Sequence, residues 1–131
     1  MREITYNNVI LARIIPHNWT ENLSFYSQDQ EYIQVGTWNY NKGKELPAHE
    51  HNIVPRTSDK TQEVIYIKQG SILVRIYGSD KKLVEEITLK KGDTLIALNG
   101  GHGYTILEDS TQVLEIKNGP YPGAEKDRTR F

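Results

Sequence analysis

Two histidines stand one residue apart in the stretch LPAHEH, at His49 and His51, with Glu50 between them. On an extended strand, residues i and i+2 project to the same side, so both imidazoles can face one ion while Glu50 faces away. Pro47 favours an extended approach, because the residue before a proline is pushed out of the helical region. Two further donors complete a candidate shell. Glu63 opens the stretch EVIYIK, where Glu63, Ile65 and Ile67 share a face. An acid heading an apolar face is costly to bury alone, and a cation is a natural partner. His102 sits among Gly100, Gly101 and Gly103 in NGGHGY, where glycine permits a tight turn and close approach. Three nitrogens and one carboxylate suit a single divalent first-row transition metal such as iron, manganese, nickel, cobalt or zinc. Open positions on that metal would take water or substrate. Taken singly, each residue also has an ordinary explanation: exposed loop histidines, a solvated glutamate at a strand start, a histidine in a turn. The signal is their combination. His17, in IPHNW, has no spaced partner and reads as a loop residue.

Other side chains are candidates for the pocket around such an ion. Tyr104 follows His102 closely and offers a phenol as acid or hydrogen-bond donor, or simply a packed ring. Arg75 shares a face with Leu73 and Tyr77 if SILVRIY is a regular strand; it is either a clamp for a carboxylate or phosphate or a surface residue. Tyr104 and Arg75 are thus the catalytic candidates, with Arg56 a second possible anion contact. Trp38 and Tyr40 share one face and are suited to core packing or to stacking on a sugar ring.

The elements that must position these residues are strands. Period-two alternation dominates and long 3.6-residue periodicity is missing. EYIQVGTWNY (31–40) reads as a strand, and QEVIYIKQGSILVRIYGSD (62–80) as two strands around a turn at Gln69-Gly70. Further strands are expected at about 83–89 and 94–98, with a last pair turning at Asp109-Ser110, and weaker ones near 8–15 and 22–27. Eight or more short strands in one small unit close into a barrel or sandwich to hide their edges. The longest aperiodic segment, NIVPRTSDKT (52–61), is polar and long enough to form a lip. The tail PYPGAEKDRTRF reads as surface coil.

The chain has 131 residues, enough for one core, and reads as a single domain over 1–131 with a polar tail at about 119–131. Sixteen basic and 17 acidic side chains leave a formal charge of -1. Such a balance gives no long-range pull toward nucleic acid or an anionic membrane, though a local basic patch can still hold a small anion. The absence of cysteine excludes disulfides, thiolate catalysis and thiolate zinc sites. The N-terminal stretch has no long apolar core, so a cytoplasmic location is the default expectation.

The pattern resembles the cupin superfamily. Gly43 is followed by five residues and then His49-Glu50-His51; Glu63 is followed by six residues and then Gly70. GDTLIALNGGH, with Gly92, Gly100 and His102, is similar to the second cupin motif. Eleven residues separate His51 from Glu63, where the family has three or four, so 52–62 reads as an insertion beside the site. Leu98 stands where the family often has proline, and His102 comes one residue early. The resemblance covers about 31–117 and implies an all-β, antiparallel double-stranded β-helix, or jelly-roll barrel, with His49, His51, Glu63 and His102 as metal ligands. The chain also resembles small single-domain cupins of surface-saccharide (capsule or lipopolysaccharide) biosynthesis clusters. That likeness implies a sugar, sugar nucleotide or small carboxylate as substrate, and isomerisation or epimerisation assisted by a Lewis-acidic metal. An iron-dependent oxygenase and a non-enzymatic saccharide-binding module are the alternatives. Related epimerases on this barrel often work without metal, through a histidine with an aspartate or tyrosine. Cupins commonly form homodimers, and NNVILARII (7–15) is the apolar segment expected to join a partner.

Overall fold

Alternation of side chains sets the architecture, and the computed structural model describes all of residues 1–131. Ten strands form: β1 (Arg2–Tyr6), β2 (Val9–Ile15), β3 (Asn22–Phe25), β4 (Gly36–Asn39), β5 (Glu63–Gln69), β6 (Ser71–Tyr77), β7 (Leu83–Lys90), β8 (Thr94–Ala97), β9 (Gly101–Ile106) and β10 (Gln112–Lys117). A single helical turn, α1 (Ala124–Asp127), follows, and no helix is long and apolar enough to cross a membrane. The strands divide into a five-stranded sheet, β1-β2-β8-β5-β10, a three-stranded sheet, β7-β6-β9, and the two-stranded ribbon β3-β4. All pairings are antiparallel.

The core lies between the two larger sheets. Ile65 and Ile67 of β5, Leu95 of β8 and Leu11 of β2 meet Ile72, Val74 and Ile76 of β6 and Leu89 of β7. The back of the five-stranded sheet is covered as well. There Ile15, Val64 and Ile96 pack with Ile33, Leu98 and the half-buried Tyr26 and Val35. Double coverage explains the continuous apolar runs VILARII and TLIA, which are buried over most of their length.

Two expectations about strand pairing need correction. β5 and β6 are consecutive, but they do not pair as a hairpin. The chain crosses from one sheet to the other at Gly70, whose φ is 77°. A Cβ there would lie 2.2 Å from Thr111 Oγ1, so only glycine fits this corner. β9 and β10 likewise part company: β9 pairs with β6 and β10 with β5. Within the expected apolar segment 7–15, β2 is hydrogen-bonded to β1 along one edge and to β8 along the other. The expected strand at 31–40 shrinks to β4, and β1 is an additional strand at the edge of the five-stranded sheet.

One buried charge fastens the back of the sheet. Arg13 of β2 is 2% exposed. Its Nε donates to Glu3 Oε1 at 2.8 Å, and its Nη1 donates to Glu31 Oε1 and Oε2 at 2.8 and 2.6 Å. Burial works against the charge, but the hydrogen bonds and charges of Glu31 and Glu3 outweigh it and raise the guanidinium above its usual range. Glu31 thereby ties the covering segment 26–35 to the sheet. Glu31→Ala leaves a buried guanidinium without its bidentate partner and is expected to cost about 3 kcal/mol in urea unfolding. Glu3→Ala, at a position 38% exposed in its side chain, is expected to cost about 1 kcal/mol or less.

Candidate functional site

Period two carries a polar cluster into the seam between the sheets. Glu63 shares a face with Ile65 and Ile67 and therefore turns toward the facing sheet at the end of the core. On that sheet, His102 and Tyr104 are two residues apart on β9 and turn inward together. Their rings lie 5.2 Å apart, tilted by 34°. Tyr104 Oη donates to Glu63 Oε1 at 2.9 Å, and His102 Nε2 lies 3.5 Å from the same oxygen. Lys117 sits directly opposite Glu63 in the β10–β5 register, with its Nζ 3.2 Å from Glu63 Oε2. It also pairs with Glu115 at 2.6 Å. The Glu63 side chain is 7% exposed, whereas that of His102 is 32% exposed and reaches solvent.

The electrostatics assign distinct roles. Burial, reinforced by the charge and hydrogen bond of Glu63, pushes the Tyr104 phenol far above its ordinary range. Tyr104 is therefore a hydrogen-bond donor at any ordinary pH and not a base. The hydrogen bond to Glu115, with Glu63 adding to it, raises the Lys117 ammonium and keeps it charged. A buried carboxylate with a phenol on one oxygen and an ammonium on the other is well satisfied. The imidazole of His102 is the one member open to a ligand.

Glu63, His102, Tyr104 and Lys117 line a cavity of about 1060 Å³. Glycine shapes its floor. At Gly100, with φ 70°, a Cβ would lie 2.1 Å from the Tyr77 carbonyl oxygen, so the turn before His102 accepts no side chain. Part of the expected lip is present: Ser58, Asp59, Lys60 and Thr61 form one wall. Asn118 Nδ2 holds it by donating to Ser58 Oγ at 2.8 Å and to the Lys60 carbonyl at 3.2 Å. The segment 126–131, expected as surface coil, forms a further stretch of wall and joins the first through Thr61, which donates to Asp127.

The remaining candidates lie elsewhere. His49 and His51 are not on a strand; residues 41–60 form no strand and are exposed throughout. Pro47 has no N–H to give a ladder, and Leu46, Ile53 and Val54 find no core to join. The two rings stand edge to face with centroids 5.2 Å apart, and His49 Nδ1 lies 3.1 Å from the Pro47 carbonyl oxygen. Glu63 and His102 thus come together, His49 and His51 come together, and the pairs do not meet. No group of three His, Cys, Asp or Glu side chains gathers around one point. Arg75 turns outward, because Ile72, Val74 and Ile76 take the inner face of β6. Its guanidinium donates to Glu86 Oε1 and to Thr105 Oγ1, both at 2.9 Å, and it does not line the cavity. Arg56 is exposed and donates to the Val54 carbonyl at 3.3 Å. Trp38, 61% exposed, lies on the β3–β4 ribbon, outside both core and cavity. Lys117 is the member of the cluster that sequence reasoning missed. Its signal was alternation: Glu115 and Lys117 share a face of a strand otherwise rich in Val, Leu and Ile.

Comparison of the chain with protein-family models, curated proteins and solved structures finds no match.

The raised phenol has a consequence at alkaline pH. In the unfolded chain Tyr104 ionises near 10, while in the folded protein it stays protonated well above that. Its contribution to stability is therefore complete below pH 10 and is lost as pH rises beyond it. The stability difference between the native sequence and Tyr104→Phe should shift by about 1.4 kcal/mol per pH unit above pH 10, in favour of the variant. Denaturant titrations at pH 8, 10 and 11 measure this; a difference independent of pH would refute the placement of Tyr104.

Proposed function

We propose that this protein is a small-molecule enzyme of the isomerase or epimerase type, acting on a sugar-like or acidic substrate in the cavity beside Glu63. The observation that carries the reading is the His102–Glu63 pair: a solvent-reachable imidazole 3.5 Å from a buried carboxylate. Imidazole is the side chain best suited to exchange a proton near neutral pH. A carboxylate behind it orients the ring and stabilises the imidazolium that forms when the ring takes a proton. In the proposed step, the free nitrogen of His102 removes a proton from the carbon next to a substrate carbonyl. The C–H electron pair moves into the carbon–carbon bond and the carbonyl becomes an enolate. The Lys117 ammonium, held between Glu63 and Glu115, lends that oxyanion its field and no free hydrogen bond. Return of the proton to the other face of the same carbon inverts its configuration; where that carbon bears a hydroxyl, passage of the hydroxyl proton to the enolate oxygen and return of the carbon-bound proton to the former carbonyl carbon moves the carbonyl. No oxidant or reductant is consumed.

Support for a cupin relationship comes from the spacing around His49, Glu63 and His102, from the paired antiparallel sheets, and from the motif glycines. Gly43, Gly70, Gly92 and Gly100 all hold positive φ. A cupin metal centre is the second reading, favoured by the meeting of Glu63 and His102, two of its four donors, from opposite sheets. In this conformation the donors do not form a shell, because His49 and His51 lie on the exposed 41–60 segment. A first-row metal bound by all four would supply Lewis acidity, or oxygen chemistry if it were iron. A homodimer belongs to the same family-based reading.

Substitution separates these readings. On the acid–base reading, His102→Gln lowers turnover of the productive sugar or sugar nucleotide in a substrate panel by about 10²–10⁴-fold and leaves the melting temperature unchanged, while His49→Ala and His51→Ala retain activity. Stoichiometric metal in untreated protein, lost together with activity in His49→Ala and His51→Ala, would replace it by the metal reading. Saturable saccharide binding without turnover across the panel would make the cavity a binding module.

A further inference from the structure

The segment 126–131 brings three cationic side chains to the cavity wall, Lys126, Arg128 and Arg130. None of them takes part in any ion pair of the chain. The acidic side chains of the same cavity are all engaged. Glu63 is held by Tyr104 and Lys117, and Glu115 by Lys117. Asp59 accepts the Tyr32 hydroxyl, and Asp127 accepts the Thr61 hydroxyl. The other lysines are occupied too, Lys60 by Asn99 and Lys117 by its two carboxylates. The 126–131 wall therefore carries three cations outside any ion pair, with Asp127 the one acidic side chain among them.

That wall is pinned at both ends. Asp127, at the end of α1, is tied to Thr61 beside Glu63. Phe131 packs edge-on against Tyr77 at 5.2 Å, with Lys81 Nζ 5.7 Å from its ring centre. Gly101 makes room for it, since a Cβ there would lie 2.7 Å from Phe131 Cζ. Between these anchors the backbone is extended at Arg128, with φ −146° and ψ 149°. Arg128 and Arg130, two residues apart, both line the cavity. Two guanidinium groups on one wall are suited to the oxygens of one anion, which they bind through paired N–H donors.

We propose that Arg128 and Arg130, with Lys126 beside them, form a subsite for an anionic oxygen group of the substrate, a phosphate or a carboxylate. This rests on the cavity being the active site and narrows its substrate class. The anion end would sit on the 126–131 wall and the reacting carbon near His102. The overall charge of -1 means that such a ligand is held locally, without steering by the whole molecule.

Calorimetric titration with inorganic phosphate and, separately, with malonate tests the subsite, and the two arms tell phosphate from carboxylate. Saturable binding of at least one is expected. The Arg128→Gln/Arg130→Gln variant should weaken it about tenfold or more, while Lys91→Gln, on the β7–β8 turn, should leave it within about twofold. Phe131→Ala keeps both arginines but frees their anchor, so it should also weaken binding. His102→Gln should bind the anion as the native protein does, which separates the subsite from the proton-transfer reading: either can fail without the other. The proposal is overturned if the native protein binds neither anion, or if the double-arginine variant, folded by its melting curve, binds as tightly as the native chain.

Discussion

Everything at the seam of this molecule depends on one buried carboxylate. Glu63 would be costly to hide alone, and its partners come from both sheets: Lys117 from its own, Tyr104 and His102 from the facing one. The cluster thus fixes how the sheets face each other. A slip of β9 by one residue along β6 would turn His102 and Tyr104 outward and bring Gly103 in. Glu63 would then keep a single partner. The same contacts that secure the packing also leave one imidazole edge facing the cavity, so the proposed chemistry and the sheet register share a physical origin.

Much of this was legible in the sequence, and what was not has identifiable causes. The strand around Arg75 follows from alternation, because a period of two reports which residues share a face, and those around Glu63 and Ile96 from short apolar runs bounded by turns. Alternation says nothing about which strand lies alongside. Gly70 and Ser110, read as hairpin turns, are corners where the chain changes sheet, and a positive φ serves both purposes. Glu63, His102 and Tyr104 could be singled out because each interrupts an apolar or glycine-rich setting. Lys117 and the 126–131 wall could not, since charged residues near a polar tail look solvated unless their partners are known.

The histidine pair teaches the complementary lesson. Spacing at i and i+2 aligns two imidazoles only if the backbone between them is a strand. Around His49 and His51 the chain offers no apolar alternation to bury and no neighbouring strand to pair with. The arginine on the back of the sheet is the opposite case. Arg13 lies in an apolar run that suggests nothing but core, yet it is satisfied by Glu3 and by Glu31 from the covering segment. Spacing is thus informative to the extent that the surrounding residues enforce an element.

Crossing between sheets at Gly70 and near Ser110 has a further effect, on the order in which the chain assembles. Three of the seven ladders join consecutive strands, β1–β2, β3–β4 and β6–β7, but the other four reach far along the chain: Ala12 lies opposite Ala97, and Gln69 opposite Gln112. During synthesis from the N-terminus, β2 must keep one edge bare until some eighty further residues have emerged. A nascent strand as apolar as VILARII, waiting that long for its mate, is the segment most open to capture by a chaperone or by another nascent copy.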